Sequence, residues 1–309
     1  MSEVVAFSGG VGGAKLALGL AERLGERLLV ACNTGDDFEH LGLTVAPDFD
    51  TVLYTLAGLA NPELGWGRAD ESWVFLDTLA QLGGEAWFRL GDRDLALHVF
   101  RTQLLRTGVM PGEIADRLCA AFGVRSRIQP ATQDRLRTIV ETDIGTLPFQ
   151  DYFVRHRCVP KVRSIRFEGA ETATPSPALA VGAPRAYVIC PSNPYLSVAP
   201  ILAISGIREM LENRNAPCVA VSPIVGGKAI KGPTAKIMAE LGLKASALEV
   251  ARLWAPLIDV FVLDHMDATL ASAIETLGPR VVVADTIMNT SADKIALAAV
   301  VLNAAGVAA

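Results

Sequence analysis

Cysteine is sparse, and it is not spaced for chemistry. Cys32, Cys119, Cys158, Cys190 and Cys218 are scattered, with no Cys-x-x-Cys pair. The spacing therefore supports neither a zinc ribbon nor a redox dithiol, and the thiols read as reduced core residues of a cytoplasmic protein. The four histidines, His40, His98, His156 and His265, form no HExxH and no His/Cys cluster. A zinc hydrolase site and a Ser-His-Asp triad thus have no signature. Charged residues are 20% of the chain, against roughly 25% in an average soluble domain. With 28 Lys plus Arg against 33 Asp plus Glu, the net charge is −5. There is no cationic excess and no block of one sign, which argues against nucleic acid or an anionic membrane as the main partner. The longest uncharged stretch, 186–207, is broken by Pro191, Asn193, Pro194 and Pro200, so it does not read as a membrane-spanning helix. A secretory signal is not expected either, since Glu3 leads directly into a short apolar run and then glycines.

What the chain has is apolar residues, 51% of its 309, enough for one large domain or two smaller ones and for an oligomer interface. Val4-Val5-Ala6-Phe7 stops at Ser8-Gly9-Gly10, Ala14 to Leu24 has helical spacing, and Leu28 to Cys32 is a second buried-strand pattern. Strand, glycine turn, helix and strand open a parallel α/β domain. The C-terminal half repeats the theme with strand patterns at 186–190, 218–222, 260–263 and 281–284, helical patterns between them, and a closing helix capped by Thr290 or Ser291. From about Arg68 to Val159 helical patterns dominate, with one polar strand pattern at Thr138–Thr142. The expected architecture is a Rossmann-like, mostly parallel sheet with helices on both faces. Residues 1–67 and 160–309 form its nucleotide-binding core, and 68–159 a mainly helical insertion over one end of the sheet.

The glycine cluster Ser8-Gly9-Gly10-Val11-Gly12-Gly13-Ala14-Lys15 follows a strand and opens a helix, which suits close approach of backbone N–H groups to an anion. It departs from the dinucleotide fingerprint in glycine spacing. It departs from the P-loop by one residue, with Leu16 where a magnesium-binding hydroxyl would stand. Two acidic pairs follow, Asp36-Asp37 at the end of the second strand and Asp48/Asp50 at a helix start. Carboxylates near a diphosphate call for a cation between them; the alternative is that Asp48 or Asp50 caps the helix near Thr51. The segment Phe88 to His98 is dense in charge, with Arg89 suited to phosphate or carboxylate recognition and Asp92 to capping. Pro191–Pro194 and Ser222–Lys228 are strand-end loops with small polar groups for a base, ribose or phosphate.

Together these segments resemble the 2-phospho-L-lactate transferase family of coenzyme F-420 biosynthesis. The resemblance runs through SGGVGGAKL, NTGDD, APDFDTVLYTLAG, GWGRADESW, RLGDRDLALH, FQDYFVRHR, PSNPYLSVAPIL and SPIVGGKAIKGP. It implies transfer of a phospholactyl-type group from a guanosine-diphospho conjugate to the ribityl hydroxyl of 7,8-didemethyl-8-hydroxy-5-deazariboflavin, with GMP leaving. By the family's pattern Asp50 and Arg89 are the deazaflavin-binding positions. Asp36 and Asp50 are expected as catalytic residues and magnesium ligands, with Asp37 and Asp48 as the fallback pair. Ser8, Gly9, Gly10, Gly12, Gly13, Lys15, Asn33, Asn193, Ser222, Gly226, Gly227 and Lys228 are expected to hold the guanosine diphosphate part. Trp66, Trp73, Trp87 or Phe88 would line the ring, and a homodimer is expected. The competing readings are a non-catalytic nucleotide or nucleotide-sugar-binding regulator, and an NAD(P)-dependent oxidoreductase on the same α/β plan.

Overall fold

An apolar run without polar alternation suits a strand covered on both faces. Val4–Ser8, fully buried, forms β1 in the interior of the central sheet. The computed structural model describes residues 3–308 apart from 64, 181 and 231, so Lys231 of the last motif lies outside the described residues. After β1 come α1 (Gly10–Leu24), β2 (Leu28–Cys32), a hairpin of β3 (Phe38–His40) and β4 (Leu43–Val45), and α2 (Pro47–Leu56). Three helices follow, α3 (Val74–Gln81), α4 (Asp92–Arg106) and α5 (Pro111–Ala121). Then come β5 (Arg127–Pro130), β6 (Arg137–Thr142), β7 (Gly145–Pro148) and β8 (Val162–Glu168). The chain continues through β9 (Ala186–Ile189), α6 (Ala199–Leu202), α7 (Ser205–Glu212), β10 (Cys218–Val221) and a hairpin of β11 (Ile224–Val225) and β12 (Lys228–Ala229). It closes with α8 (Thr234–Glu240), α9 (Ala247–Trp254), β13 (Val260–Asp264), α10 (Ala271–Glu275), β14 (Arg280–Ala284) and α11 (Ser291–Ala304).

The seven-stranded sheet has the order β14-β13-β10-β9-β1-β2-β5, parallel throughout. Val4 and Ala6 face a layer of α1, α2, α5 and α11, while Val5 and Phe7 face α6, α7 and α9. This is the period-two alternation of a strand in the middle of a three-layer domain. From β1 the chain winds one way to β2 and β5, then crosses to β9 and winds the other way. The order reverses between β1 and β9, and a parallel sheet opens a crevice at such a point, beyond the strands' carboxyl ends.

Two expectations are corrected by the structure. The helices α3, α4 and α5 fill only the first part of 68–159: β6, β7 and a short helical turn at Asp151–Arg155 follow, and Arg127–Pro130 is the edge strand of the central sheet, paired with β2. Its sequence, Arg-Ile-Gln-Pro, is short and polar, and its proline is tolerated because nothing pairs beyond it. The boundary at 159/160 also fails: β6 pairs with β7 and β8 in a three-stranded antiparallel sheet that spans it. In addition, α2 begins at Pro47 in the first helical turn, which places Asp48 and Asp50 inside the helix and leaves Ala46 as the cap residue. Thr290 caps α11 as expected, in a capping box with Asp293.

Candidate active site

A cleft of about 640 Å³ opens at the switch point between β1 and β9. Gly9, Gly10, Val11 and Gly12 form its floor at the start of α1. Gly10 has φ +62°, a conformation that favours glycine. A Cβ on Gly12 would strike the Pro191 carbonyl, so glycine there lets α1 close on the loop after β9. The cap residue Gly9 has no side chain to offer, and the first turn of the helix holds no acid of its own. The Gly10 N–H donates to Asp48 Oδ1 at 2.6 Å and the Gly9 N–H to Ser192 Oγ at 3.1 Å. The turn beyond presents backbone N–H groups and the positive end of the helix dipole to the cleft.

Asp36 and Asp48 line the cleft beside this helix end. Asn33 ties them together: its amide donates to Asp48 Oδ2 at 2.9 Å and to the Leu196 carbonyl at 3.2 Å, and its Oδ1 accepts from the Gly35 N–H at 2.8 Å. Asn33 is therefore fully engaged in positioning its neighbours. Burial pushes Asp48 up to about 6. Burial, reinforced by the charge of Asp48, holds Asp36 well above the usual carboxylate range. Burial also raises Asp37 to about 8, against the opposing pull of Arg137 and Arg101. Asp36 Oδ1 and Asp37 Oδ1 are buried without a hydrogen-bond partner. Close, desolvated carboxylates with free oxygens are the donor set a hard divalent cation uses.

Asp50 points elsewhere. It is 5% exposed and does not line the cleft. Arg101 holds it, through NH1 to Oδ2 at 3.0 Å and through NH2 to Oδ1. His98 Nδ1 lies 3.8 Å from the same carboxylate, and His98 Nε2 lies 3.4 Å from Asp94, which also accepts a 2.6 Å bond from the Tyr54 hydroxyl. Asp50, Asp94 and His98 lie close enough to share a cation, but the guanidinium already neutralises Asp50.

Opposite the glycine turn the wall is aromatic. Trp66, Trp87, Phe88, Phe149 and Phe153 line it, the last two rings stacked at 5.3 Å. Arg89 also lines the cleft, its guanidinium over the Trp73 ring at 4.2 Å. Reciprocal capping fixes this segment. Asp92 accepts from the Ser72 hydroxyl and the Val74 and Phe75 N–H groups at the start of α3, and Glu71 accepts from the Arg93 and Asp94 N–H groups at the start of α4.

The remaining expected residues divide. Lys15 lines the cleft with its ammonium on the Met288 carbonyl at 2.7 Å. Asn193 lines it too; its Oδ1 accepts from the Tyr195 and Leu196 N–H groups, leaving the amide to offer to a ligand. Ser222 lines the cleft while its hydroxyl closes a turn onto Ile224. Ser8 and Gly13 lie behind the floor, and Gly226, Gly227 and Lys228 lie outside the lining. Gly226 and Gly227, at φ +57° and +73°, make the two-residue turn of the β11–β12 hairpin. Ser192 lines the cleft as part of the Pro191–Pro194 loop expected there; Ser197, Gln150 and the Thr286–Met288 segment line it without having been singled out, although the first two lie within the PSNPYLSVAPIL and FQDYFVRHR segments and Thr286 lies just beyond a strand end.

The sequence profile described as 2-phospho-L-lactate transferase CofD matches residues 4–302. The chain belongs to the 2-phospho-L-lactate transferase family. It is 41% identical over 303 residues to a 2-phospho-L-lactate transferase of Methanopyrus kandleri, covering 96% of this chain and 95% of that one. It is 40% identical over 285 residues to a phosphoenolpyruvate transferase of Kitasatospora aureofaciens, covering 89% of each. A crystal structure of a upf0052-family protein from Bacillus halodurans shares the fold, with TM-score 0.62 at 15% identity, covering 97% of this chain and 98% of that one. No helix among the described residues is long and apolar enough to cross a membrane.

For a 2-phospho-L-lactate transferase family enzyme with this acidic pocket, the raised carboxylates predict a pH signature. A carboxyl whose folded pKa lies above its unfolded value binds more protons folded than unfolded, so its stabilising contribution is lost as pH rises through the folded pKa. Raised from 3.8 to about 6 for Asp48 and about 8 for Asp37, the two put that loss between about pH 4 and pH 8. A divalent cation held by Asp36 and Asp48 would compete with protons there, so the gain in melting temperature on adding magnesium is expected to widen from pH 5 to pH 8. A gain that is flat across that range would show that these carboxylates do not bind the cation.

Proposed function

We propose that this transferase moves a phosphorylated three-carbon acid from a guanosine-diphospho conjugate to the ribityl hydroxyl of 7,8-didemethyl-8-hydroxy-5-deazariboflavin, releasing GMP, in coenzyme F-420 biosynthesis. The observation that carries the reading is one continuous cleft with two unlike ends. The glycine-rich start of α1 and the Asp36/Asp48 pair suit a diphosphate, and the Arg89–aromatic wall suits a flat ring. The acid, whether 2-phospho-L-lactate, phosphoenolpyruvate or phosphoglycerate, is not chosen by similarity, since relatives named for two of these are equally close, at 41% and 40%.

In this reading the hydroxyl oxygen forms a bond to the phosphorus that carries the acid, and the bond from that phosphorus to the GMP oxygen breaks. The electron pair leaves with GMP and the hydroxyl proton passes to solvent. Such a transfer asks the protein for in-line positioning and charge neutralisation. The N–H groups at the start of α1 hold the diphosphate oxygens, Lys15 and the Asn193 amide lie alongside, and Arg89 with Trp87 and Phe88 orients the acceptor. Asp36 and Asp48 would hold magnesium, which would supply charge neutralisation at the diphosphate. Asp48 takes the place expected for Asp50 because Arg101 already holds Asp50, which then acts by positioning α2. The homodimer and cytoplasmic setting expected from the sequence belong to the proposal, and exposed Val74, Phe75 and Phe100 on α3 and α4 supply apolar surface for a second copy. The test is magnesium-dependent GMP release from each guanosine conjugate with and without the deazaflavin. Release only with the acceptor supports the reading. Tight GDP binding with no release from any conjugate would make the protein a nucleotide sensor.

A further inference from the structure

A second chamber of about 730 Å³ opens behind Asp36, which lines both it and the main cleft, as do Trp87, Phe149 and Gln150. Its walls carry polar groups of both kinds: the carboxylates of Asp36 and Asp37, each with an unpartnered oxygen, and arginines and other donors. Arg135 and Arg137 both line it, and neither has a carboxylate within ion-pair distance among the described residues. Arg137 is half-buried, and its one hydrogen bond goes to the neighbouring Leu136 carbonyl at 2.8 Å. The Thr138 hydroxyl, on a side chain 1% exposed, has no partner, and neither do His40 Nε2 and Trp87 Nε1. The third arginine of the chamber, Arg155, is already matched by Glu85 at 3.3 Å and Asp151 at 3.2 Å. Buried donors are seldom left unsatisfied, and a cluster of them around one cavity points to a ligand that accepts. The half-buried Arg137 guanidinium makes no ion pair at contact distance, the exposed Arg135 stands beside it, and the planar fork suits a carboxylate. Burial, together with repulsion from Arg135, holds Arg137 below its usual value despite Asp37, as for a cation short of a counter-charge.

We propose that this chamber is the acid-recognition subsite: Arg137, assisted by Arg135 and Thr138, binds the carboxylate of the transferred three-carbon acid. The inference rests on the proposed transfer, because the phosphorus carrying the acid would lie near Asp36, at the junction of the two cavities. A carboxylate one or two bonds further on then enters the chamber, while the guanosine part stays in the cleft. The β6 strand, which supplies Arg137 and Thr138, becomes the element that separates acid conjugates from plain nucleotides.

The test is a titration calorimetry series in magnesium buffer with three probes: GDP, the guanosine-diphospho conjugate of 2-phospho-L-lactate, and the methyl ester of that conjugate. The unmodified protein is expected to prefer the free acid over its ester by roughly ten- to hundredfold, the usual worth of a charge-assisted contact. Arg137→Gln is expected to abolish that preference and leave GDP affinity unchanged. Thr138→Val, which keeps strand propensity, is expected to reduce the preference in the same way and serves if Arg137→Gln does not fold. No preference in the unmodified protein, an undiminished preference in the variants, or an equal loss for all three probes would each overturn the subsite. Because binding is read without turnover, a failure to release GMP would sink the transfer reading while leaving this preference separately measured.

Discussion

Asp36→Asn is expected to lower magnesium-dependent turnover by roughly 10²–10³-fold without weakening the fold. Both halves follow from the same contacts. The Asp36 side chain is 6% exposed, close to Asp48, and has one oxygen with no hydrogen-bond partner. Its charge therefore carries a desolvation cost and a repulsion in the metal-free protein, and a neutral amide of the same shape removes both. On the proposed reading, the amide also removes a negative ligand that would hold a cation beside the diphosphate. The local architecture survives, because the bond from the Gln150 amide runs to the Asp36 backbone carbonyl and not to its side chain. The expected pair of readings is GMP release nearly lost, together with a melting temperature at pH 8 without magnesium that is equal to or above that of the unmodified protein. Magnesium should then raise it little. A variant that releases GMP at the normal rate would take Asp36 out of the site, and one that melts early would show its role to be structural.

How much of this was legible in the sequence varies from element to element, for physical reasons. The β1–α1–β2 unit was readable because a strand buried on both faces leaves a continuous apolar run and its turn needs glycine. The β5 strand was not, since an edge strand of four residues with arginine, glutamine and proline has no such run. The pair Asp48 and Asp50 shows a sharper limit. Two residues apart on a helix, side chains diverge by roughly 200°, so only one can face a given cleft. The sequence pattern starts this helix near Thr51 and leaves both residues outside it; only the start of α2 at Pro47 sets them on opposite sides. The choice between them is made by Arg101, 51 positions downstream of Asp50 on another helix. Conversely, Val225-Gly226-Gly227-Lys228 carried the signal of a tight hairpin turn between paired residues, and the fold uses it that way. The second chamber left no motif, because its donors come from separate elements that meet only in three dimensions.

Asp50→Asn is expected to act in the opposite sense to Asp36→Asn, costing about 3–5 kcal/mol of stability. Arg101 is 6% exposed and its two outer nitrogens both reach Asp50. Burial disfavours its charge, and Asp50 more than restores it, raising the guanidinium above its ordinary value. An asparagine leaves that buried cation without its ion-pair partner, with only more distant charges such as that of Asp37 acting on it. Asp94 cannot take over: burial alone would raise it, but His98 and the Tyr54 hydroxyl already hold it below the usual carboxylate range. A loss of this size is a large share of the roughly 5–15 kcal/mol that holds a domain together, so the urea midpoint should fall sharply, with activity lost in proportion to folded protein. Replacing both partners, as Asp50→Leu with Arg101→Met, removes the charge pair whole and should recover most of the stability. The Asp48 carboxylate one turn-face away would then still meet the Gly10 N–H, and nucleotide affinity in the double variant should track the refolding of α2. If Asp50→Asn instead folds normally and fails only in turnover, the Asp50 carboxylate touches the reactants, and the cleft must rearrange to release it from Arg101.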